Sequence, residues 1–188
     1  MDTYDEKKIG KLIAWIGDHF VYEYDTDKVI KFSKFDFFLG RKKAKEKSNN
    51  DYVICKQYFG KYILETRIVS SQDGQRIAKI QQKVSGRFLA VRDLQNEHIK
   101  TQFREILQAY DVMRADGRPH LDLIGQKGVW QKCMSNILIT KEHHLMIFDA
   151  TLFDAREFSL WQRPFMFALF YIARSIQDAR LDTFRVQM

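Results

Sequence analysis

"NILITKEHHLMIFDA", residues 136–150, sets two short apolar runs, 137–139 and 145–148, around a polar, histidine-rich centre. The pattern predicts a β-hairpin. Asn136 stands immediately before the first run and Asp149 immediately after the second. In a two-stranded hairpin those two positions lie side by side, so an amide carbonyl and a carboxylate are expected to converge on one ion. Both are hard oxygen donors of the kind Mg²⁺ takes, and phosphoryl transfer from ATP needs Mg²⁺ held against the phosphates. The plainer reading makes Asn136 a turn residue and Asp149 a helix N-cap. His143 and His144 read as turn residues, because no third metal ligand sits at useful spacing.

The chain around this stretch is 188 residues long, 45% hydrophobic and 14% aromatic. That is enough for one domain, or one domain of two small lobes, with a real core. Cys55 and Cys133 lie far apart, which points away from a disulfide framework or zinc cluster and toward a reducing, cytoplasmic setting. The opening "MDTYDEKKIGKL" has no apolar signal region. The longest apolar concentration, 160–173, is shorter than the roughly 20 residues a membrane span needs. It reads as a buried helix; a partner or membrane-surface contact is the second reading. A net charge of +7 favours anionic partners such as nucleotides or nucleic acid. The densest basic run, "RKKAKEK" at 41–47, reads most simply as a solvated helix face.

Strand-like runs at 11–18, 19–25 and 28–34 open the chain, the last two joined by "DTD" at 25–27. A Lys- and Glu-rich helical or loop stretch, 35–58, follows, then two more strand-like runs joined by "QDG" at 72–74. From 96 to 113, Ile99, Phe103, Ile106, Leu107, Tyr110 and Met113 recur at helical spacing, and Gly117 and Pro119 end that helix. A turn-rich segment, 120–135, leads into the hairpin, and the chain from Glu157 reads as helical.

The order of these features resembles the protein-kinase-like fold. Asn136 in "NILI" and Asp149 in "IFDA" match that fold's metal-binding pair, with Ala150 and Thr151 where D-F-G has Phe and Gly. "KVIK" at 28–31 resembles the V-A-I-K strand and implies that Lys31 contacts the α/β-phosphates. "IGDHFVYEY" resembles a shortened phosphate-covering loop, from which only Gly17 and the following Val21 survive. Residues 82–86 resemble the hinge beside adenine. Glu46 is the first candidate for the acid that pairs with the lysine, ahead of Asp51 and Glu65. "HLDL" at 120–123 resembles H-R-D-L and implies Asp122 as the catalytic base. Asn136 comes fourteen residues after Asp122 rather than five. Either 124–132 is an insertion that leaves Asp122 in place, or Gln131 takes the position.

The resemblance therefore implies an α+β fold of two lobes, strand-rich over 1–84 and reduced helical over 85–188. It implies an ATP- and Mg-dependent phosphotransferase acting on an unidentified hydroxyl acceptor, a small molecule or a protein. A pseudokinase that binds a nucleotide or partner without transfer is the alternative. A basic nucleic-acid-binding domain is a third reading, against which stands the lack of an RRM, KH or helix-turn-helix signature.

Overall fold

The computed structural model describes residues 2–16, 19–33 and 39–188, without the side chains of Ile16, Gln126, Val129 and Trp130. Mixed α and β elements divide the chain into two compact units, Met1–Tyr52 with Leu64–Val84, and Val53–Ile63 with Ser85–Met188.

The first unit is built on a five-stranded antiparallel sheet. Its strands are β1 (Ile9–Ile16), β2 (His19–Tyr24), β3 (Lys28–Ser33), β4 (Thr66–Ser70) and β5 (Ile77–Gln82), in the order β1-β2-β3-β5-β4. Asp25, in the left-handed region at φ 60°, turns β2 into β3. Alternation along the strands gives the sheet two chemically different faces. Ile30, Ile80, Ala78, Val69 and Tyr24 form a core with Tyr4 on one face. On the other, Lys31 lies between Val21 of β2 and Lys79 of β5.

Helix α1 (Arg41–Phe59) separates β3 from β4. Ala44, Ser48, Asp51, Cys55 and Phe59 are its buried positions, a 3–4 residue spacing that makes one stripe. Within the basic run, Lys45 donates to Ser70 Oγ at 3.2 Å and Lys47 pairs with Asp51 at 2.8 Å. The expected solvated face is thus narrower than the composition suggests. Arg41, Lys42, Lys43 and Glu46 are its exposed members.

The second unit is organised by α2 (Glu97–Ala115). Asn96 caps it, its side chain accepting from the N–H groups of His98 and Ile99 at 3.0 and 3.2 Å. The predicted apolar stripe is buried from Ile99 to Met113. Each large side chain buried there contributes roughly 1.5–3 kcal/mol, so packing rather than propensity decides this helix. Gly117, at φ 70°, closes it, with Arg118 N–H reaching back to Met113 O at 3.2 Å.

A three-stranded sheet, β6 (Gly86–Ala90), β8 (Cys133–Thr140) and β9 (Leu145–Ile147), carries the opening hairpin, with Ile137 opposite Ile147 and Ile139 opposite Leu145. β8 begins earlier than expected, so Asn136 is a strand residue and not the residue before one. His143, at φ 61°, makes the turn.

The segment 120–135 is not merely turns. It contains β7 (His120–Leu121), paired with β10 (Leu152–Phe153), and the short helix α3 (Gly125–Gln131). Its glycines mark close approach: a Cβ on Gly128 would stand 2.4 Å from Cys133 O. Helix α4 (Arg163–Arg185) ends the chain. The buried helix expected at 160–173 is corrected here. Phe165 and Tyr171 are more than two-thirds exposed, and Trp161 is 94% exposed. Only the row through Met166, Gln177, Leu181 and Phe184 is buried on this helix, because one face alone meets the rest of the unit. Among the described residues no helix is long and apolar enough to cross a membrane.

Candidate functional site

In the second unit, Asp122 and Asn136, fourteen residues apart in sequence, lie together. The Asn136 side-chain amide donates to the Asp122 backbone carbonyl at 2.8 Å. Neighbouring bonds run in parallel: Asn136 N–H to Leu123 O at 3.3 Å, Ser135 N–H to Ile124 O at 2.8 Å, and Ser135 Oγ to the same carbonyl at 2.6 Å. Residues 124–132 are thus a helix-bearing loop whose two ends are laced together. Gly125 permits the lacing. It has φ +61°, and a Cβ there would stand 2.6 Å from both Asn136 Oδ1 and Ser135 Oγ.

The hairpin adds Asp149. Phe148 N–H donates to Asn136 O at 3.3 Å, so Asp149 is the next residue along from the one bonded to Asn136. Its Oδ1 accepts from Thr151 Oγ1 at 2.7 Å. Thr151 O in turn accepts from Asp122 N–H at 3.2 Å. The backbone of Asp122 is therefore held on one side by Asn136 and on the other by Thr151. The Asp122 carboxylate, half-buried, accepts from Gly125 N–H at 2.8 Å, a cap on the first turn of α3. Gln131 lies exposed at the other end of α3.

Below this frame sits a buried relay that the sequence reading missed. Gln177, 1% exposed on α4, accepts from Leu123 N–H at 2.8 Å and donates to Leu121 O at 2.9 Å. The same amide donates to Tyr110 Oη at 2.9 Å, and Tyr110 Oη lies 2.8 Å from His120 Nδ1. Burial, then the charges of Arg174 and Arg114, depress the His120 pKa to about 4. The ring is therefore neutral at pH 7. Burial raises the Tyr110 pKa. A signal was available: Gln177 falls on the same helical row as Met166, Leu181 and Phe184, and a polar residue on an apolar row needs partners. Phe148 also stacks on Phe88 of β6 at 6.5 Å, and the Lys127 ammonium stands 5.6 Å from the Phe88 ring.

In the first unit Lys31 is 8% exposed, the one buried lysine among the described residues. Val21 is its cross-strand neighbour. Glu46 is exposed on α1, whereas Asp51 is 4% exposed. Glu65 accepts from Tyr52 Oη at 2.7 Å. Gly17 lies outside the described residues.

No known protein family matches the chain, and no curated protein does. Solved structures do. The apo form of PpkA-294 matches with a TM-score of 0.46 and 15% identity, over 80% of this chain and 60% of that one. The Helicobacter pylori proinflammatory kinase CtkA matches with a TM-score of 0.34 and 15% identity, over 79% and 56%. This chain thus spans 60% or less of the length of either structure.

The Asn136 side-chain carbonyl and the Asp149 carboxylate are hard oxygen donors of the chemical type that Mg²⁺ takes, alongside phosphate and water. Among the described residues no three His, Cys, Asp or Glu side chains gather as a self-sufficient metal site. A site of that sparse kind holds its ion only together with a phosphate ligand.

Proposed function

We propose that this chain is a minimal phosphotransferase of the protein-kinase-like fold that uses ATP and Mg²⁺ and delivers phosphate to a hydroxyl acceptor. The observation that carries the reading is the hydrogen-bonded frame in which Asn136 ties Asp122 to the hairpin that ends in Asp149. Asn136 and Asp149 would hold the cation, which supplies charge neutralisation on the phosphates. Lys31 would hold phosphate oxygens. Asp51, buried where Glu46 is exposed, is the better acid to accompany it. Asp122 would orient the acceptor hydroxyl and take its proton.

A second reading, a pseudokinase that binds nucleotide without transfer, is favoured by one detail: the Asp122 carboxylate already holds Gly125 N–H as a helix cap.

Both readings require nucleotide binding. Mg²⁺ with ATP near 100 times Kd is expected to stabilise the protein by about 2.7 kcal/mol. Asp149→Ala is expected to remove the Mg²⁺ dependence of that shift. The measurement is thermal unfolding with ATP, with and without Mg²⁺. No shift with any nucleotide defeats both readings and leaves the fold standing.

A further inference from the structure

The stretch that separates Asp122 from Asn136 brings a cation to their frame. Helix α3 is pinned by its backbone on either side of Lys127. Gly125 N–H donates to the Asp122 carboxylate at 2.8 Å, and Gly128 N–H donates to Ser135 Oγ at 3.1 Å. The position of Lys127 is thus set by the segment that ties Asp122 to Asn136, while its side chain is exposed.

The ammonium stands over one face of the hairpin sheet. Alternation along β8 and β9 buries Ile137, Ile139, Leu145 and Ile147 on the other face. On the near face Phe88 lies opposite Leu138, and Leu138 opposite Met146; all three are only partly buried, as is Phe148. Phe88 and Phe148 stack at 6.5 Å with their planes 26° apart, and Lys127 Nζ is 5.6 Å from the centre of the Phe88 ring. Asp149 follows Phe148 in the chain, so the ring pair runs from the ammonium toward the acidic end of the hairpin.

Charge singles out this lysine. An ammonium over a ring at an exposed site is weakly held. Among the described residues Lys127 has no ion-pair partner. Arg87, the residue before Phe88, is already bound to Asp93. A triphosphate stays anionic with Mg²⁺ bound, and Asp122 and Asp149 bring two more carboxylates to the same unit. An ammonium that exchanges the ring for a phosphate oxygen offsets that repulsion and gains a charge-assisted hydrogen bond.

We propose that Lys127 is a phosphate contact of the bound nucleotide, supplied by the lengthened segment between Asp122 and Asn136. The inference rests on the nucleotide-binding reading and adds a cation from the second unit to Lys31 of the first. The test is titration of the full chain with ATP and with adenosine in Mg²⁺, read by thermal unfolding. Lys127→Met is expected to weaken ATP binding about tenfold, the loss of one charge-assisted contact, and to leave adenosine binding unchanged. Lys127→Arg is expected to keep ATP binding. Lys132→Met, which removes an exposed lysine at the far end of α3, is expected to change neither ligand's binding. Equal ATP binding by wild type and Lys127→Met, or ATP and adenosine weakened alike, overturns the proposal and leaves the nucleotide reading standing. A wild type that responds to no nucleotide overturns both.

Discussion

At the scale of single residues, Asp122 is asked to do two things. Its Oδ1 accepts the Gly125 N–H, and its backbone is gripped by Asn136 and Thr151. A base needs a carboxylate; a cap needs only an oxygen acceptor. Asp122→Asn keeps the cap and, in the proposed phosphotransferase, would remove the base. Folding and ATP affinity are therefore expected to stay near wild type, while phosphate transfer or ATP hydrolysis falls by about two orders of magnitude or more. A wild type that turns over ATP no faster than Asp122→Asn reduces Asp122 to its structural part. Which residues meet was partly legible beforehand. The pairing of Asn136 with Phe148, the residue before Asp149, was legible because a hairpin makes its own ends adjacent. Asp122 beside Asn136 was only one of two readings, with Gln131 the other, since a separation of fourteen residues conceals a contact made by a side chain reaching a backbone carbonyl. Gly125 and Gly128 fall in the segment read as turn-rich. In the structure a Cβ has no room at either of them.

At the scale of elements, the short β7 strand is held to α2 and α4 by three side chains rather than by a long ladder. Gln177 grips Leu121 and Leu123, and Tyr110 bonds His120. This gives the element a pH dependence. The ordinary histidine value is 6.5, and burial with Arg174 and Arg114 lowers that of His120 to about 4. Between those values the unfolded chain binds the proton and the folded chain does not, so stability falls as pH drops through that window. It is fully present above about pH 6.5. The ring is only partly buried, and screening trims the loss to about 1–2 kcal/mol. Thermal unfolding from pH 7 to 4 is expected to show a steeper decline for wild type than for His120→Gln. Parallel curves remove His120 as the cause. Period-2 and period-3.6 patterns gave away β1 to β3, the α2 stripe and the hairpin. They failed at α3, which is too short and glycine-marked to show a period. They misjudged α4, where apolar residues all round were taken for burial within the chain.

At the scale of the whole molecule, the charge of +7 leaves two kinds of anion open, nucleotide and nucleic acid. Much of the positive charge is already neutralised locally. Lys8 with Asp25, Lys47 with Asp51, Lys83 with Glu23, Arg114 with Asp178 and Arg185 with Asp111 are ion pairs at 2.8–3.3 Å. In the densest basic run, Lys45 and Lys47 are engaged, which leaves the exposed Arg41, Lys42 and Lys43 to meet a phosphate backbone. Three phosphate contacts give a log–log salt slope near −2.7, and non-specific affinities lie at about 10⁻⁴–10⁻⁶ M. In the proposed reading, a nucleotide whose phosphates meet a buried lysine would be screened less than one held at the surface. Raising salt from 50 to 200 mM is therefore expected to abolish retention of a 20-base-pair duplex while the thermal shift given by ATP with Mg²⁺ persists. The measurements are fluorescence anisotropy of the labelled duplex and thermal unfolding in the same buffers. Nanomolar duplex binding that survives at 200 mM, with no nucleotide shift at either salt, makes the basic balance the functional feature and the buried lysine a structural one.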